Sequence, residues 1–502
     1  MISWIERHKK WMGLLSTMPA LALAFLDQSI VPVALPVIEK TFHASRMELI
    51  WFLNSYFLVS ASFVLLGGKI SDWIGPKRSF LIGMGLFALA SGVCASSSSS
   101  LYFIVGRALQ GLGSSLMLPA SFALVSLLFP CHERGMATGV NTSLGAFFLV
   151  IGPLLGGMLV EHFSWRFIFL INLPLCIMSF VMTLIFVANS PRKKATLDFR
   201  GFLYFTLTIF SLVVYLMQAG EWGFTSSTSL AFVSSIVIFA LLLVRREFTA
   251  RFPFLEIGLL KRPVFRAVNI SVFIAQTAMI VIIFRVLFFQ TALGWSPSKT
   301  GWMTFCTTIA LLIVPLPAGA IADRLGPRVP IFLGFCLLAF SLLWTGLFLT
   351  SSLPLLLIGL LPCGIAIPLI QTPSLSSAMN DVPEERIGLV GGTMSTFRAL
   401  SATLSVALIA ALLCNAEFFD MNAKFGRKVP PQAIWELVGT SEPYELIYDR
   451  YPQGQREHLW NELVRSKVAA QRGIHFILAL MVLMAMPFAI WPHERKLGRV
   501  IK

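Results

Sequence analysis

Charge is scarce in this sequence. Of 502 residues, only 13% are Asp, Glu, Lys or Arg, whereas soluble domains carry roughly 25%. Hydrophobic residues make up 56% of the chain, and its mean hydropathy is +0.80. So little polar surface excludes a soluble globular protein, because even a large core would not remove this many apolar side chains from water. The composition indicates that a lipid bilayer is the solvent for most of the chain.

Cysteine is also scarce, and the cysteines stand far apart. There are seven, mostly inside apolar runs, and they form no C-x-x-C pair and no Cys/His cluster. The sequence therefore predicts no disulfide framework and no metal site, and the cysteines are interpreted as small buried packing residues. An H-E-x-x-H motif, a phosphate-binding P-loop and a catalytic-triad cluster are absent as well. We predict that the protein is not an enzyme and that it binds no cofactor.

Long apolar runs, by contrast, fill the sequence. A membrane-spanning helix needs about 20 mostly apolar residues. Runs of this kind lie near 12–35, 49–69, 79–98, 102–125, 137–160, 166–188, 201–219, 229–245, 267–289, 300–321, 330–349, 353–374, 390–414 and 473–491. They predict fourteen transmembrane helices. The first run follows a basic N-terminus, but it is too long for the apolar core of a signal peptide, so we expect it to be a retained span.

The formal net charge of +15 is explained by where the basic residues lie. With the N-terminus inside, the predicted inner loops and tails hold 24 of the 39 Lys and Arg residues, and the short outer loops hold four. This positive-inside pattern predicts that both termini are cytoplasmic, and it removes the reason to expect a nucleic-acid partner. One long outer loop, 415–472, has eight basic and eight acidic residues; long loops do not follow the rule.

Two segments of the chain repeat each other. GGKISDWIGPKR at 67–78 is echoed by AGAIADRLGPR at 318–328, a displacement of 251 residues. A second echo, displaced by 252 or 253 residues, relates Gly106, Gly111, Pro130 and Glu133-Arg134 to Gly359, Gly364, Pro383 and Glu385-Arg386. The order and spacing predict two homologous six-helix bundles, 1–190 and 251–502, joined by a two-helix linker, 191–250. Transporters built from such repeats bind substrate near the membrane midplane, between the halves.

Several motifs resemble those of a known family. The loop GKISDWIGPKR after span two is similar to the loop signature of the major facilitator superfamily. Four further segments resemble motifs of its fourteen-helix drug:proton antiporters: LDQSIVPVALP at 26–36, GRALQGLG at 106–113, GPLLGG at 152–157 and WRFIFLINLP at 165–174. The family pattern has Gly where this chain has Phe148, and Thr and Asn where it has Ser29 and Pro32. The resemblance implies an all-α integral membrane protein with the major facilitator fold, and proton-driven export.

Asp27 is the only acidic residue inside a predicted span. A carboxyl at this depth is costly and is a functional-site hypothesis by default. It could exchange the driving proton and, when ionised, hold a cationic drug; the alternative is a structural hydrogen bond. Arg107 lies in span four, where the second half of the repeat has Leu360, and the resemblance implies a part in proton transfer. We predict that Arg107 is the counterpart of Asp27, with snorkelling to the outer interface as the alternative.

Four side chains within the spans or at their ends are candidates for the substrate cavity: Gln110, Gln290, Gln371 and Arg285. Arg285 lies about four residues from the outer end of its span, so it could snorkel instead. If it faces the cavity, it would favour anionic or zwitterionic substrates. Arg398 is the remaining charge within a span, and similar transporters often carry an arginine there.

The glycine-rich part of span five contains Gly152, Pro153, Gly156 and Gly157. The spacing of Gly152 and Gly156 lets a neighbouring helix approach closely, and Pro153 permits a bend because it removes a helix hydrogen bond. Tight packing and a hinge that shapes the export conformation are both open interpretations.

The inner loop after span two is a candidate gate. The resemblance implies that charge contacts there hold the cytoplasmic side closed. The residues concerned are Gly68, Asp72, Gly75, Lys77 and Arg78, with Glu133 and Arg134 as partners and Asp323 and Arg324 as the equivalents in the second half. Positive-inside anchoring is the alternative for Lys77 and Arg78, but it does not explain Asp72.

The predicted function is proton-coupled export of amphipathic small molecules across the cytoplasmic membrane by alternating access. Transport of one defined metabolite, by export or proton symport, is the alternative. Because the sequence has no ATP-binding segment, an ion gradient must supply the energy. The expected partners are the substrate, protons and the lipid bilayer. An amphipathic helix predicted near 454–472, in the long outer loop, could contact a periplasmic adaptor protein if the host has an outer membrane.

Overall fold

The computed structural model describes residues 2–189, 198–250, 254, 258, 261–382, 387–425, 430–439, 447 and 452–490. In this part of the chain the regular secondary structure is helical, and no strand occurs. The beginning of the predicted linker, at 191–197, and the repeated residues Pro383, Glu385 and Arg386 lie outside the described residues.

Eighteen helices occur in the described ranges. In chain order they are α1 Ile2–Phe42, α2 Arg46–Ile74, α3 Pro76–Ser96, α4 Ser100–Leu128, α5 Cys131–His162, α6 Phe167–Leu170, α7 Asn172–Phe186, α8 Phe199–Trp222, α9 Ser227–Thr249, α10 Pro263–Thr291, α11 Pro297–Thr308, α12 Ala310–Ile313, α13 Pro315–Leu325, α14 Arg328–Leu347, α15 Leu353–Asn380, α16 Ile387–Phe425, α17 Pro431–Gly439 and α18 Gln453–Ile490.

The prediction of fourteen spans is confirmed. Among the described residues, thirteen helical segments are long and apolar enough to cross a membrane, with α6 and α7 counted as one. A bent pair, Pro297–Ile313 and Pro315–Leu325, which changes direction by 40°, brings the number to fourteen when it is counted as one span. Pro315 accounts for the break, because proline has no N–H to donate to the preceding turn. The chain is therefore an integral membrane protein with two six-helix bundles and two inserted helices.

Local sequence fixes where several helices begin and end. Ser45 and Glu48 form a reciprocal capping box at the start of α2, which satisfies backbone N–H groups that have no partner within the helix. Ser99, Ser226 and Ser296 accept equivalent bonds at the starts of α4, α9 and α11. Gly75 and Gly326 follow α2 and α13 with φ of +97° and +80°, a backbone region that favours glycine. These two glycines are the ones that the 251-residue repeat relates.

The repeat also recurs in the packing of the bundles. A side chain at Gly111 of α4 would collide with the Tyr56 carbonyl oxygen of α2, and one at Gly364 of α15 would collide with the Thr307 carbonyl oxygen of α11. Tyr56 and Thr307 are again 251 residues apart. The same glycine therefore permits the same close helix approach in both bundles.

The inserted helices lie beside the bundles. The Asn54 side chain of α2 donates to the Met217 sulfur of α8 at 3.4 Å, and a side chain at Gly220 of α8 would collide with Asn415 of α16. In α9, only 6% of the most apolar 18-residue window is buried within the protein. Its apolar side chains, such as Leu241, which is 65% exposed, therefore face lipid.

The segment 415–472 is largely helical where it is described. The sequence predicts an outer loop there, but α16 continues to Phe425 and α18 begins at Gln453, so the predicted amphipathic helix is the first part of α18. A separate apolar cluster joins these extensions to α17, and its members include Met421, Ile434, Leu437, Leu459 and Leu463. Burial of this cluster explains why the segment folds instead of forming an open loop.

The basic face is the end that carries the loops at Gly75 and Gly326. The opposite face carries the turns at 43–45 and 292–296 and the helices of 415–472.

Candidate functional site

Asp27 and Arg107 form an ion pair inside the N-terminal bundle. The Arg107 Nη1 atom lies 2.7 and 2.8 Å from the two carboxylate oxygens of Asp27. Each side chain is only 1% exposed, so Arg107 does not snorkel to an interface. The pair connects the middle of α1 to α4. The structure thus brings the two predicted residues together, and their role in proton coupling stays a prediction.

Arg107 is held by its own bundle as well as by Asp27. Its Nε atom donates to the Phe52 carbonyl oxygen at 3.0 Å, and Nη1 also donates to Gln110 Oε1 at 2.7 Å. The guanidinium lies 4.7 Å from the centre of the Tyr56 ring, within the range of a cation–π interaction. These contacts attach the guanidinium to α2 and α4 independently of Asp27.

The glycines of α5 let α1 approach closely. A side chain at Gly152 would collide with the Ser29 hydroxyl, and a Cβ at Gly156 would lie 2.8 Å from the Ile30 side chain. This is the close contact that the spacing of the two glycines predicts. It positions Ser29, two residues after Asp27, against α5.

Pro153 and Gly157 face the second bundle. A Cβ at Gly157 would lie 2.7 Å from the Pro297 carbonyl oxygen, and a side chain at Gly301 of α11 would collide with the Pro153 carbonyl oxygen. This part of α5 therefore forms an interface between the bundles, and its role as a hinge stays a prediction.

Polar contacts also join the two bundles. They include Gln290 Nε2 to the Val33 carbonyl oxygen at 3.1 Å, the Ser298 N–H to Glu161 Oε2 at 2.9 Å, and Arg46 Nη1 to Glu417 Oε2 at 2.5 Å. All three lie toward the opposite face. The structure is therefore a conformation in which the bundles are closed together at the opposite face.

A cavity lies between the bundles. Fifteen residues from α1, α2, α5, α10, α11 and α16 line it. Its polar members are Gln28, Ser29, Gln276, Thr304 and Thr308. The others are apolar, among them Phe57 and Met279, and none of the fifteen is charged. Such a surface suits an amphipathic small molecule, because it combines apolar contact with a few hydrogen-bonding groups.

None of the four predicted cavity side chains is part of this lining. Gln110 accepts a hydrogen bond from Arg107, and Gln290 donates to the Val33 carbonyl oxygen and to Thr300. Gln371 lies behind the cavity and donates to Gln276 Oε1 at 3.1 Å. These amides are used to satisfy other buried polar groups, which cannot be left unpaired inside a membrane protein.

Arg285 neither snorkels nor lines the cavity. It is 1% exposed, and its Nη2 atom lies 3.8 Å from the Cys363 sulfur, on the side of α10 that faces α15. Ile283 and Val286, close to it in α10, are among the residues of this helix that line the cavity. Both interpretations made from the sequence are therefore corrected, because a position four residues from a helix end says nothing about which side of the helix faces the lipid.

The candidate gate residues are spread over several contacts. Lys77 donates to the Leu184 and Val187 carbonyl oxygens at the end of α7, where a cation is favoured by the helix dipole. Glu133 pairs with Lys10 at 2.6 Å. The other members are placed as follows: Arg134 donates to the Phe129 carbonyl oxygen, Gly68 lies near Pro119, and Asp72, Arg78, Asp323 and Arg324 are exposed. No ion pair from Asp72 to another described residue occurs in this conformation, so the gate stays a prediction.

Sequence reasoning did not find the groups that support the ion pair. Gln110 Nε2 donates to Ser91 Oγ at 2.8 Å, and Asn172 Nδ2 donates to the same oxygen at 3.3 Å. Both Ser91 and Asn172 are almost completely buried. Asn172 belongs to the WRFIFLINLP segment, so its position inside a span was the available signal.

Comparison with known proteins agrees with this architecture. The Major Facilitator Superfamily model matches residues 17–406. The multidrug resistance protein Stp of Mycobacterium tuberculosis is 33% identical over 422 residues, which are 83% of this chain and 78% of Stp. The tetracenomycin C resistance and export protein of Streptomyces glaucescens is 28% identical, over 94% of this chain and 89% of that protein.

Two further similarities complete the comparison. The riboflavin transporter RibZ of Clostridioides difficile is 28% identical, over 87% of this chain and 94% of RibZ. Among solved structures, a bacterial homologue of the human lysosomal transporter Spinster, in an inward-facing and unoccupied conformation, superposes with a TM-score of 0.61 at 13% identity, over 97% of this chain and 98% of that one. The extent of the family match and the identity to Stp show that this chain is a membrane transporter of the major facilitator superfamily.

Proposed function

We propose that this protein is a proton-coupled antiporter that exports amphipathic small molecules across the cytoplasmic membrane. The observation that carries the proposal is the buried ion pair of Asp27 and Arg107, next to residues of α1 that line the cavity. Placing an ionisable pair inside a membrane span costs free energy, and such residues mark functional sites. Coupling proton uptake to movement of α1 supplies such a function.

The coupling follows from how each partner is held. Ionised Asp27 attracts Arg107 and ties α1 to α4. When Asp27 takes up a proton the attraction is lost, while Arg107 stays beside α2 and α4 through Phe52, Gln110 and Tyr56. Protonation therefore frees α1 to move. Because Gln28 and Ser29 follow Asp27 directly and line the cavity, the same movement changes the substrate site.

The direction of transport rests on the similarity to Stp and to the tetracenomycin exporter, together with the positive-inside pattern. On that pattern the basic face is cytoplasmic. The conformation closed at the opposite face then receives substrate from the cytoplasm, and its proton exchange takes place in the alternate state, since Asp27 is 1% exposed here. A periplasmic adaptor bound to the helices of 415–472 stays an expectation.

The test uses purified protein in liposomes that contain a pH-sensitive dye. With a panel of amphipathic dyes inside the liposomes, we expect substrate-dependent proton movement with wild type and none with Asp27→Asn. Asp198→Asn is the matched control, because Asp198 also pairs with an arginine, Arg246, at 3.0 Å, but in the inserted helices. Asp27→Asn should still exchange labelled substrate for unlabelled substrate. Wild-type proton movement in Asp27→Asn would refute the proposal.

Transport of one specific metabolite is the second candidate, and the similarity to RibZ favours it. The same liposomes decide between the two. Proton movement driven by several unrelated amphipathic dyes supports export of many compounds. Proton movement driven by riboflavin, or by another single solute of a metabolite panel, supports the second candidate.

A further inference from the structure

We infer that the cytoplasmic entrance to the cavity holds a binding site for amphipathic organic anions, built on Arg398 and Phe25, and that the exported substrates carry a carboxylate or a similar oxyanion. This inference rests on the proposed function for the direction of substrate entry. It concerns the substrate class, which the proton-coupling pair does not determine.

Arg398 is the least buried of the charged side chains well inside the membrane spans. Four charged side chains lie inside the predicted spans and away from their end residues: Asp27, Arg107 and Arg285 are each 1% exposed, whereas Arg398 is half-buried. Asp27 and Arg107 neutralise each other, and Arg285 is enclosed in the second bundle. A molecule that enters between the bundles therefore meets one guanidinium and no accessible carboxylate among these four.

Arg398 lies at the cavity and joins the two bundles. Its guanidinium carbon is 5.2 Å from the centre of the Phe25 ring, so a residue of α16 stacks on a residue of α1. Ala402, one helical turn after Arg398, lines the cavity, and so do Gln28 and Ser29, three and four residues after Phe25. Residues three or four apart lie on one face of a helix. The stacked pair is therefore the next layer of the cavity wall, toward the basic face.

The pattern of exposed side chains along α1 also places the Arg398–Phe25 pair beside the cavity. Between residues 16 and 36, the side chains that are not fully buried are Phe25, Gln28 and Ser29. This narrow accessible face of α1 is the one that meets Arg398 at one end and the cavity at the other. An incoming molecule can therefore contact Arg398 and the cavity at the same time.

The chemistry of the pair selects an anion. Among the described residues, the contact found for the Arg398 guanidinium is the Phe25 ring, so its N–H donors are free to bind a ligand. A guanidinium binds a carboxylate through two parallel hydrogen bonds, and its stacking on an aromatic ring leaves the edge that carries those donors available. The rest of the substrate would fill the largely apolar cavity beside Phe57 and Met279. A cationic molecule would be repelled by Arg398 and would find only neutral polar groups.

Ionised Asp27 is a candidate to hold a cationic drug when only the sequence is considered. In the structure both of its carboxylate oxygens accept hydrogen bonds from Arg107, so the carboxylate does not bind a cationic substrate in this conformation.

The test measures binding to the full-length protein in detergent, where no proton gradient is needed. The probes are 9-anthracenecarboxylate and 9-anthracenylmethyl-trimethylammonium, which share a ring system and differ in charge. We expect wild type to bind the carboxylate at least about tenfold more tightly than the cation. Arg398→Gln should weaken carboxylate binding about tenfold and leave cation binding unchanged or stronger. Arg398→Lys should give an intermediate loss, because lysine keeps the charge but not the planar donor pair.

Arg166→Gln is the matched control. Arg166 also stacks on an aromatic ring, with its guanidinium carbon 4.4 Å from the Trp165 ring centre, but it follows α5 at the opposite face. The Arg166→Gln variant should bind the carboxylate probe and the cationic probe with wild-type affinities. Equal or tighter binding of the cation by wild type, binding of neither probe, or unchanged carboxylate binding by Arg398→Gln would each overturn the inference. If Arg398→Gln does not fold, the comparison of the two probes on wild type and Arg398→Lys still decides it.

Failure of the inference and failure of the proposed function are distinguishable. Preferential binding of the carboxylate, with normal proton movement in Asp27→Asn, would support the anion site and refute proton coupling through Asp27. Preferential binding of the cation, with no proton movement in Asp27→Asn, would do the reverse.

Discussion

Arg46 at the start of α2 and Glu417 near the end of α16 form a two-pronged ion pair, with N–O distances of 2.5 and 2.9 Å. The two residues are 371 positions apart, and they belong to different bundles. Arg46 also donates to the Val438 carbonyl oxygen of α17 at 3.2 Å. The pair therefore fastens the N-terminal bundle to the helical segment at the opposite face.

We predict that Glu417→Gln weakens closure of the opposite face. Glu417 is 3% exposed and Arg46 20%, so the pair is largely buried, and removing one charge should cost the closed state about 1–3 kcal/mol. In a cysteine-free background, spin labels can be placed at Thr41 and Lys299, which lie at this face in different bundles. The distance between the two labels should be longer in Glu417→Gln than in wild type. Combining Arg46→Glu with Glu417→Arg should restore the short distance.

The matched control for this prediction is Glu462→Gln. Glu462 also pairs with basic residues, Lys424 and Arg465, at 3.1 and 2.5 Å, but all three belong to the extensions of α16 and α18. The label distance should not change. An unchanged distance in Glu417→Gln would contradict the fastening role of the pair.

We predict that Gly157→Ala also opens the opposite face. The added Cβ would lie 2.7 Å from the Pro297 carbonyl oxygen and 2.9 Å from Ser298 Cα, and backbone atoms at that distance must move. The same spin-label pair should report a larger separation. Gly139→Ala, in the same helix, has nothing within 4 Å and should leave the distance unchanged; a larger separation there would show that any glycine replacement in α5 has this effect.

The sequence predicted the fold well because membrane constraints are simple. Apolar runs of about 20 residues located all fourteen spans, since a lipid-exposed backbone must satisfy its own hydrogen bonds. The 251-residue repeat was detectable because Gly75 and Gly326 need positive φ, and Gly111 and Gly364 each face a backbone carbonyl. Such positions admit almost no other residue, so they leave a pattern in the sequence.

The partners of site residues were harder to predict. Asp27 and Arg107 were found because a charge within a span is conspicuous on its own. The direction in which Gln290, Gln371 and Arg285 point depends on the rotation of each helix within the bundle, and hydrophobic periodicity is weak where one side faces lipid and the other faces protein. The Arg46–Glu417 pair left no signal, because both residues lie in segments where charge is ordinary.

We predict that Gly111→Ala and Gly364→Ala destabilise the protein to a similar degree. Each new Cβ would press on a backbone carbonyl of a neighbouring helix, of Tyr56 or Thr307, and overpacking of this kind costs about 1–3 kcal/mol. Thermal unfolding in detergent should show a lower midpoint for both variants. Gly85→Ala, where nothing lies within 4 Å, should keep the wild-type midpoint, and equal midpoints for all three variants would contradict the packing argument.

Substitution of Arg107 separates the charge of the buried pair from its geometry. Arg107→Lys keeps a cation beside Asp27 but cannot donate at once to Asp27, the Phe52 carbonyl and Gln110 as the guanidinium does, since lysine presents a compact point charge. We expect the variant to fold and its substrate-driven proton movement to fall at least about tenfold. Arg166→Lys, the same change at a stacked arginine of the opposite face, should retain transport.

Arg107→Leu makes the stricter prediction, because it introduces the residue type that Leu360 supplies in the second bundle. The single variant leaves Asp27 buried without a partner, so it should lose about 3–5 kcal/mol of stability. Adding Asp27→Asn removes the uncompensated charge, and the double variant should recover the thermal midpoint without recovering proton movement. If the double variant melted as low as Arg107→Leu, the cost would come from lost packing. If it transported protons like wild type, neither side chain would be needed for coupling.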